Sequence, residues 1–139
     1  MLESFKITKD EDYDRYGVAG GDLLEEGILD VKTIVEKPGK ANAPGDMANV
    51  SGFLFVPEIF NYLERVLAEL KEGQEFYYND ALKQMLNDGH RVVAQVVKNG
   101  KYYDTGNKLE YLKTVVEFAI RHEELGGDFK NFLRGLDLT

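Results

Sequence analysis

The apolar run over residues 27–35 constrains the fold of this chain most, because it is rich in β-branched residues and stops abruptly. Pro38 lacks an amide hydrogen and Gly39 favours a turn, so the sequence predicts a β-strand that ends next to Glu36 and Lys37. In open α/β sheets, ligands usually bind at this carboxyl edge. Glu36 can accept hydrogen bonds from hydroxyl groups and Lys37 can hold a phosphate as a point charge, a combination that fits a sugar phosphate. An adjacent pair of opposite charges is also typical of a solvated surface loop, so both interpretations stay open.

Strand and helix patterns alternate along the rest of the chain. We expect a strand remnant around Phe5 and Ile7, and a short strand at residues 16–18 that ends at the turn signal Gly20-Gly21-Asp22. Further strands are predicted at residues 49–55 and 92–97. Apolar residues at helical spacing predict helices over residues 57–73, 79–89, 105–122 and 128–136. This order predicts one α/β or α+β domain over residues 1–139, with three layers and a mixed sheet.

Composition narrows the classes of function. The 139 residues are 43% hydrophobic, which is enough for one real core. The 25 acidic and 17 basic residues give a net charge of -8, which disfavours binding to nucleic acid or to an anionic membrane. The absence of cysteine excludes disulfides, thiolate metal sites and a cysteine nucleophile, and it fits a reducing compartment. With no apolar run that approaches a membrane span, we expect a soluble, cytoplasmic protein.

The other chemistry-bearing residues have structural interpretations when they are taken one at a time. Asp104 precedes Thr and Gly, as turn and cap residues often do, and a single carboxylate holds Mg²⁺ only together with phosphate oxygens or another acid. His90 and His122 lie at predicted helix ends and form no triad. The tyrosine pairs at residues 77–78 and 102–103 are typical of packing residues.

Several short motifs nevertheless follow one another in a fixed order and resemble a known family. The motifs are Tyr16-Gly17-Val18, Val35-Glu36-Lys37-Pro38, Ala43-Pro44, Asn49-Val50-Ser51-Gly52, Pro57-Glu58-Ile59-Phe60, Asn79-Asp80-Ala81-Leu82 and the segment from Tyr103-Asp104-Thr105-Gly106 to Arg121-His122. In this order and spacing they resemble the C-terminal half of bacterial UTP:glucose-1-phosphate uridylyltransferases, which are sugar-phosphate nucleotidyltransferases. The resemblance covers essentially the whole chain.

The resemblance implies the C-terminal portion of a Rossmann-like, three-layer α/β fold with a mixed sheet. It also implies uridylyl transfer from UTP to glucose 1-phosphate, with release of pyrophosphate and Mg²⁺ as the cofactor. By position, Glu36 would bind sugar hydroxyls, Lys37 would bind the sugar phosphate, and the backbones of Gly17 and Val50 would line the hexose pocket. Asp104 would supply one carboxylate to Mg²⁺, so that Lys37 and Asp104 are the catalytic candidates.

The chain also departs from the family pattern. The glycine-rich nucleotide loop, the base-reading residues and the other Mg²⁺ aspartate of the family's N-terminal half are absent from these residues. We therefore expect a truncated, inactive half that binds glucose 1-phosphate alone and binds UTP only with the missing half. A non-catalytic interaction module and a dTTP-dependent thymidylyltransferase fragment are the alternatives. Because a halved sheet would expose an edge strand and apolar surface, we also expect a homo-oligomer.

Overall fold

The computed structural model describes residues 1–137, without the side chain of Ser51. Two compact units divide the chain, Met1–Asn99 and Gly100–Thr139. The single domain expected for residues 1–139 stays a prediction. The first unit contains five strands and two helices: β1 (Leu2–Lys6), β2 (Gly17–Glu25), β3 (Ile28–Glu36), β4 (Met47–Phe53), α1 (Ile59–Glu69), α2 (Tyr78–Asn87) and β5 (Val92–Val96). Short 3-10 helices span Asp10–Asp14 and Lys40–Asn42.

The five strands form a mixed sheet that closes on itself in the order β1-β4-β2-β3-β5. The pairing of β1 with β5 is parallel and the other four pairings are antiparallel. The α/β class and the mixed sheet are therefore confirmed. The expectation of an open sheet with an exposed edge strand is wrong for the first unit, because β1 pairs with β4 on one side and with β5 on the other.

One hydrophobic core joins the sheet to both helices of the first unit. Ile34 of β3, Ile59 of α1 and Leu82 of α2 are almost completely buried in it, together with Leu2 of β1. Burial of each such side chain stabilises the fold by about 1.5–3 kcal/mol relative to exposure. The core therefore holds α2 against β3, and the candidate site described below lies where these two elements meet.

The second strand is longer than the sequence pattern predicts. The expected turn at Gly20-Gly21-Asp22 is wrong, since all three residues lie inside β2 at an irregularity in its register with β3. A Cβ at Gly20 would lie 2.7 Å from the Pro44 Cβ, so this glycine permits close packing and does not form a turn. The chain reverses at Gly27 instead, where φ is +79°.

The second unit contains α3 (Lys108–Arg121) and α4 (Gly126–Arg134). Asn107 caps α3, because its side chain accepts hydrogen bonds from the backbone amides of Leu109 and Glu110. No helix within residues 1–137 is both long enough and apolar enough to cross a bilayer. The cytoplasmic location stays a prediction.

Candidate functional site

A row of polar positions crosses four neighbouring strands of the sheet. Glu36 of β3 lies opposite Gly17 of β2, and Gly17 lies opposite Asn49 of β4. Asn49 in turn lies opposite Ser4 of β1. Residues directly opposite each other on paired strands project to the same face, so the glutamate and the asparagine flank a position that has no side chain.

Asn79 fills the space above Gly17 and joins the glutamate and the asparagine that flank it. Asn79 lies in the first turn of α2 and is only 1% exposed. Its Nδ2 donates a hydrogen bond to Glu36 Oε2 at 2.6 Å, and its Oδ1 accepts a long one from Asn49 Nδ2 at 3.5 Å. A Cβ on residue 17 would lie 2.9 Å from Glu36 Oε2 and still closer to Asn79 Nδ2. Glycine at position 17 is therefore what lets the asparagine reach the glutamate.

The backbone turns sharply directly after Glu36. Lys37 has a φ of +43°, a left-handed conformation that is uncommon for a residue with a side chain, and its amide donates to the carbonyl of Tyr16 at 3.2 Å. The Lys37 ammonium lies 5.4 Å from the centre of the Tyr77 ring, and the lysine is exposed. The half-buried carboxylate and the exposed ammonium thus occupy neighbouring positions at the end of β3.

The hydroxyl group of Tyr77 contacts Glu75. The Tyr77 hydroxyl donates a hydrogen bond to the Glu75 carboxylate. This bond raises the pKa of Tyr77 above its ordinary value of 10.0, while the Lys37 charge acts in the opposite direction. Tyr77 thus contacts Glu75 through its hydroxyl and Lys37 through its ring.

The other two predicted site residues are Val50 of β4 and Asp104 of the second unit. Val50 is the residue after Asn49 on β4, so its side chain points to the opposite face and is buried there. The expected role of Val50 belongs to its backbone, and it stays a prediction. Asp104 lies in the second unit, where its Oδ1 accepts the backbone amides of Gly106 at 3.0 Å and Asn107 at 3.3 Å. Asp104 therefore has the turn role that its sequence context also predicts.

The segment before Asp104 is fastened to α3 by a charged cluster. Glu117 of α3 accepts hydrogen bonds from Lys101 and from the Tyr103 hydroxyl, the latter at 3.0 Å. These two bonds, that of Lys101 first, lower the pKa of Glu117 below 4.5. Glu117 therefore helps to hold Lys101 and Tyr103 against α3.

The described residues do not form a metal site by themselves. Within residues 1–137, no group of three or more histidine, cysteine or acidic side chains is placed to hold a metal ion. Asp104 offers a single carboxylate, and one of its oxygens already serves the turn before α3. Magnesium prefers near-octahedral oxygen ligation, so Asp104 alone does not fit a complete Mg²⁺ site.

Sequence reasoning missed three residues of the site. Asn79 and Asn49 belong to a type that favours helix caps, turns and surfaces. Both lie in motifs of the family resemblance, but no local pattern predicts that either one contacts Glu36. Tyr77 was predicted to be a packing residue, and only the left-handed turn at Lys37 brings the lysine over its ring. The one usable signal is Gly17, a glycine within a strand, which often marks a close approach of another group.

The model of the nucleotidyl transferase family matches residues 2–119 of the chain. The UTP--glucose-1-phosphate uridylyltransferase of Staphylococcus epidermidis is 35% identical over 129 residues, covering 93% of this chain and 43% of that protein. The protein of the same name from Bacillus subtilis is 39% identical over 127 residues, covering 91% of this chain and 42% of its own length. The chain therefore spans less than half the length of these relatives.

Solved structures give the same result. The UTP-bound UGPase of Acinetobacter baumannii is similar with a TM-score of 0.78 and 28% identity, over 98% of this chain and 45% of that one. A UDP-glucose pyrophosphorylase complexed with UDP-glucose gives a TM-score of 0.74 and 29% identity, over 87% of this chain and 44% of that one. The expected fold class is thus confirmed by structure as well as by sequence.

Proposed function

This chain belongs to the nucleotidyl transferase family, and from that premise we propose that it forms the sugar-phosphate-binding part of a UTP:glucose-1-phosphate uridylyltransferase. The parent reaction joins UTP and glucose 1-phosphate to give UDP-glucose and pyrophosphate. The observation that carries the proposal is the end of β3, where a half-buried carboxylate oriented by Asn79 adjoins an exposed ammonium.

The two charged groups suit the two ends of a hexose phosphate. Glu36 accepts hydrogen bonds from sugar hydroxyls, and a bond to an ionised carboxylate contributes about 1.5–3 kcal/mol. Lys37 faces the phosphate as a compact cation. Both side chains reach the start of α2, where Glu36 bonds Asn79 and the Lys37 ammonium lies 5.4 Å from the centre of the Tyr77 ring. One ligand can then contact both residues although they are adjacent in the chain.

The chemistry assigned to these residues is positioning and charge neutralisation. In the transfer, an oxygen of the sugar phosphate attacks the α-phosphorus of UTP, and two anionic groups must approach each other. Lys37 offsets this repulsion, while Glu36 fixes the sugar so that the attacking oxygen is correctly oriented. Magnesium, when bound, supplies further neutralisation of the phosphates. Asp104 is proposed as one of its carboxylate ligands, which phosphate oxygens would complement.

The test is a titration of the purified chain with glucose 1-phosphate, followed by the backbone resonances in ¹H–¹⁵N NMR spectra. We expect weak binding that shifts the resonances of Gly17, Glu36 and Lys37, and that falls about tenfold or more in Glu36→Ala and Lys37→Ala. Glu26→Ala and Lys71→Ala are the matched controls, since both residues are exposed and outside the site. Their affinities should equal that of the wild type.

Two outcomes would contradict the proposal. A wild-type chain that does not respond to glucose 1-phosphate at millimolar concentration would favour a non-catalytic interaction module. Tight binding of UTP by the isolated chain would show that the nucleotide site is not in a missing half. The homo-oligomer expected from the sequence stays a prediction, to be measured by sedimentation.

A further inference from the structure

We propose that Asn79 is a positioning residue that orients Glu36 for sugar recognition, with Asn49 orienting Asn79 in turn. This inference rests on the proposed function and extends it to two residues with no assigned role. The carboxylate of Glu36 can only accept hydrogen bonds when it is ionised. The group that faces it at 2.6 Å must therefore be a donor, and this fixes Nδ2 of Asn79 toward the glutamate.

The direction of the remaining contacts follows from this first one. With Nδ2 of Asn79 on the glutamate, its Oδ1 faces Asn49 and must receive a donor, which is Asn49 Nδ2 at 3.5 Å. The chain of donors thus runs from Asn49 through Asn79 to Glu36, and each amide polarises the next. Oxygen Oε2 is bonded to Asn79, and this is the one hydrogen bond that the Glu36 carboxylate accepts from the described side chains. One carboxylate oxygen is therefore anchored and the other is left for a hydroxyl.

The burial of the two asparagines argues against a purely structural role. Asn49 and Asn79 are 4% and 1% exposed, and Asn49 Oδ1 has no hydrogen-bond partner among the described residues. Burial of an amide with an unsatisfied oxygen is unfavourable, and an apolar pair would fill this part of the core at lower free energy. The contact that the polar pair makes with the rest of the site is the hydrogen bond that orients Glu36.

The contact also separates sugar recognition from phosphate recognition. Asn79 bonds Glu36, whereas Lys37 is supported by the ring of Tyr77 and by its own backbone. Loss of the Asn79 donor should therefore weaken binding of the hexose and spare binding of the phosphate group. General damage to the site would weaken both.

The experiment compares Asn79→Ala and Asn79→Asp in the full chain. Alanine is neutral but smaller, and aspartate keeps the shape but replaces the amide by a second carboxyl group, so the defect that they share is the lost amide donor. Asn61→Asp is the matched control, because it makes the same charge change on an exposed position of α1. Dissociation constants for glucose 1-phosphate and for inorganic phosphate are measured for each variant by NMR titration.

We expect both Asn79 variants to bind glucose 1-phosphate about tenfold or more weakly. Asn79→Ala should bind inorganic phosphate as the wild type does, and Asn61→Asp should match the wild type for both probes. If the wild type binds glucose 1-phosphate and the Asn79 variants bind it equally well, this inference is overturned and the proposed function stands. A wild type that does not bind glucose 1-phosphate overturns both.

A measurement on the wild type covers the case in which both variants fail to fold. The side-chain NH₂ resonances of Asn79 should shift when glucose 1-phosphate is added and stay in place when inorganic phosphate is added. The side-chain resonances of Asn61 should not respond to either probe. Asn79 resonances that ignore glucose 1-phosphate, while the Glu36 backbone responds to it, would overturn the inference.

Discussion

Gly17→Ala tests the geometry of the site without any ligand. The new Cβ would lie 2.9 Å from Glu36 Oε2, 3.3 Å from Asn79 Cγ and closer still to Asn79 Nδ2. Because Asn79 is almost fully buried, it has little room to retreat, and the change resembles overpacking of a core. We therefore expect Asn79 to separate from Glu36.

The magnitude follows from three contributions. Overpacking costs about 1–3 kcal/mol. Loss of the charged hydrogen bond costs about 1.5 kcal/mol, at the lower end of its range because Glu36 is half-exposed. The backbone of Gly17 is not in the left-handed region, so alanine gains about 0.4–1 kcal/mol from reduced freedom of the unfolded chain. The net loss is about 1.5–4 kcal/mol, or about 6–30 °C in Tm for a unit of this size.

The assay is urea unfolding followed by circular dichroism, with Gly127→Ala as the control. A Cβ at Gly127 in α4 would meet no atom within 4 Å, so alanine there should stabilise by about 0.5–1 kcal/mol. The double variant Gly17→Ala/Asn79→Ala should be at least about 1 kcal/mol more stable than the sum of its single changes, since it relieves the overlap. A Gly17→Ala variant as stable as the wild type, or strictly additive changes, would refute the reasoning.

Three further predictions concern the backbone turn at Lys37 and the second unit. Lys37→Gly should be about 0.5–1 kcal/mol more stable than Lys37→Ala in urea unfolding, because glycine relieves the left-handed strain at this position. Both variants should lose phosphate binding. Equal stabilities of the two variants would contradict the strain. Hydrogen bonds from Lys101 and Tyr103 hold the pKa of Glu117 below 4.5 in the folded second unit. These bonds should therefore stabilise the second unit above pH 4.5, and the stabilisation should be lost as the pH falls through the lowered folded pKa. An NMR pH titration of the Tyr103 resonances should show this transition, and Glu117→Gln should abolish it; a transition that persists in the variant assigns it to another group. Asn107→Ala should destabilise α3 by about 1 kcal/mol through loss of its cap. The loss should appear as faster exchange of the backbone amides of Leu109 and Glu110 with solvent. Unchanged exchange rates would argue against the cap.

Local sequence patterns could predict the elements that carry the site. The strand that ends at Glu36 and the helix that begins near Asn79 are both found close to their expected positions. Strand periodicity and the proline after Lys37 are local signals, so the chain itself encodes them. Glu36 and Lys37 could therefore be named as candidates, and the family resemblance could assign roles to them.

The contacts that assemble the site could not be predicted in this way. Asn79 reaches Glu36 only because α2 packs on β3 and because residue 17 lacks a side chain. The closed sheet was missed because the pairing of β1 with β5 joins opposite ends of the first unit. Such long-range pairings depend on the packing of the whole unit, and no short window of sequence contains them.

The parallel pairing of β1 with β5 has a consequence for the order of folding. Leu2 of β1 lies opposite Ala94 of β5, so β1 can pair with β5 only after almost the whole of the first unit has been synthesised. A nascent chain that has not yet reached Val92 can complete only the antiparallel side of β1. During synthesis, the backbone groups on the other side of this strand are therefore open to chaperones or to another nascent chain, although the finished sheet offers them no access.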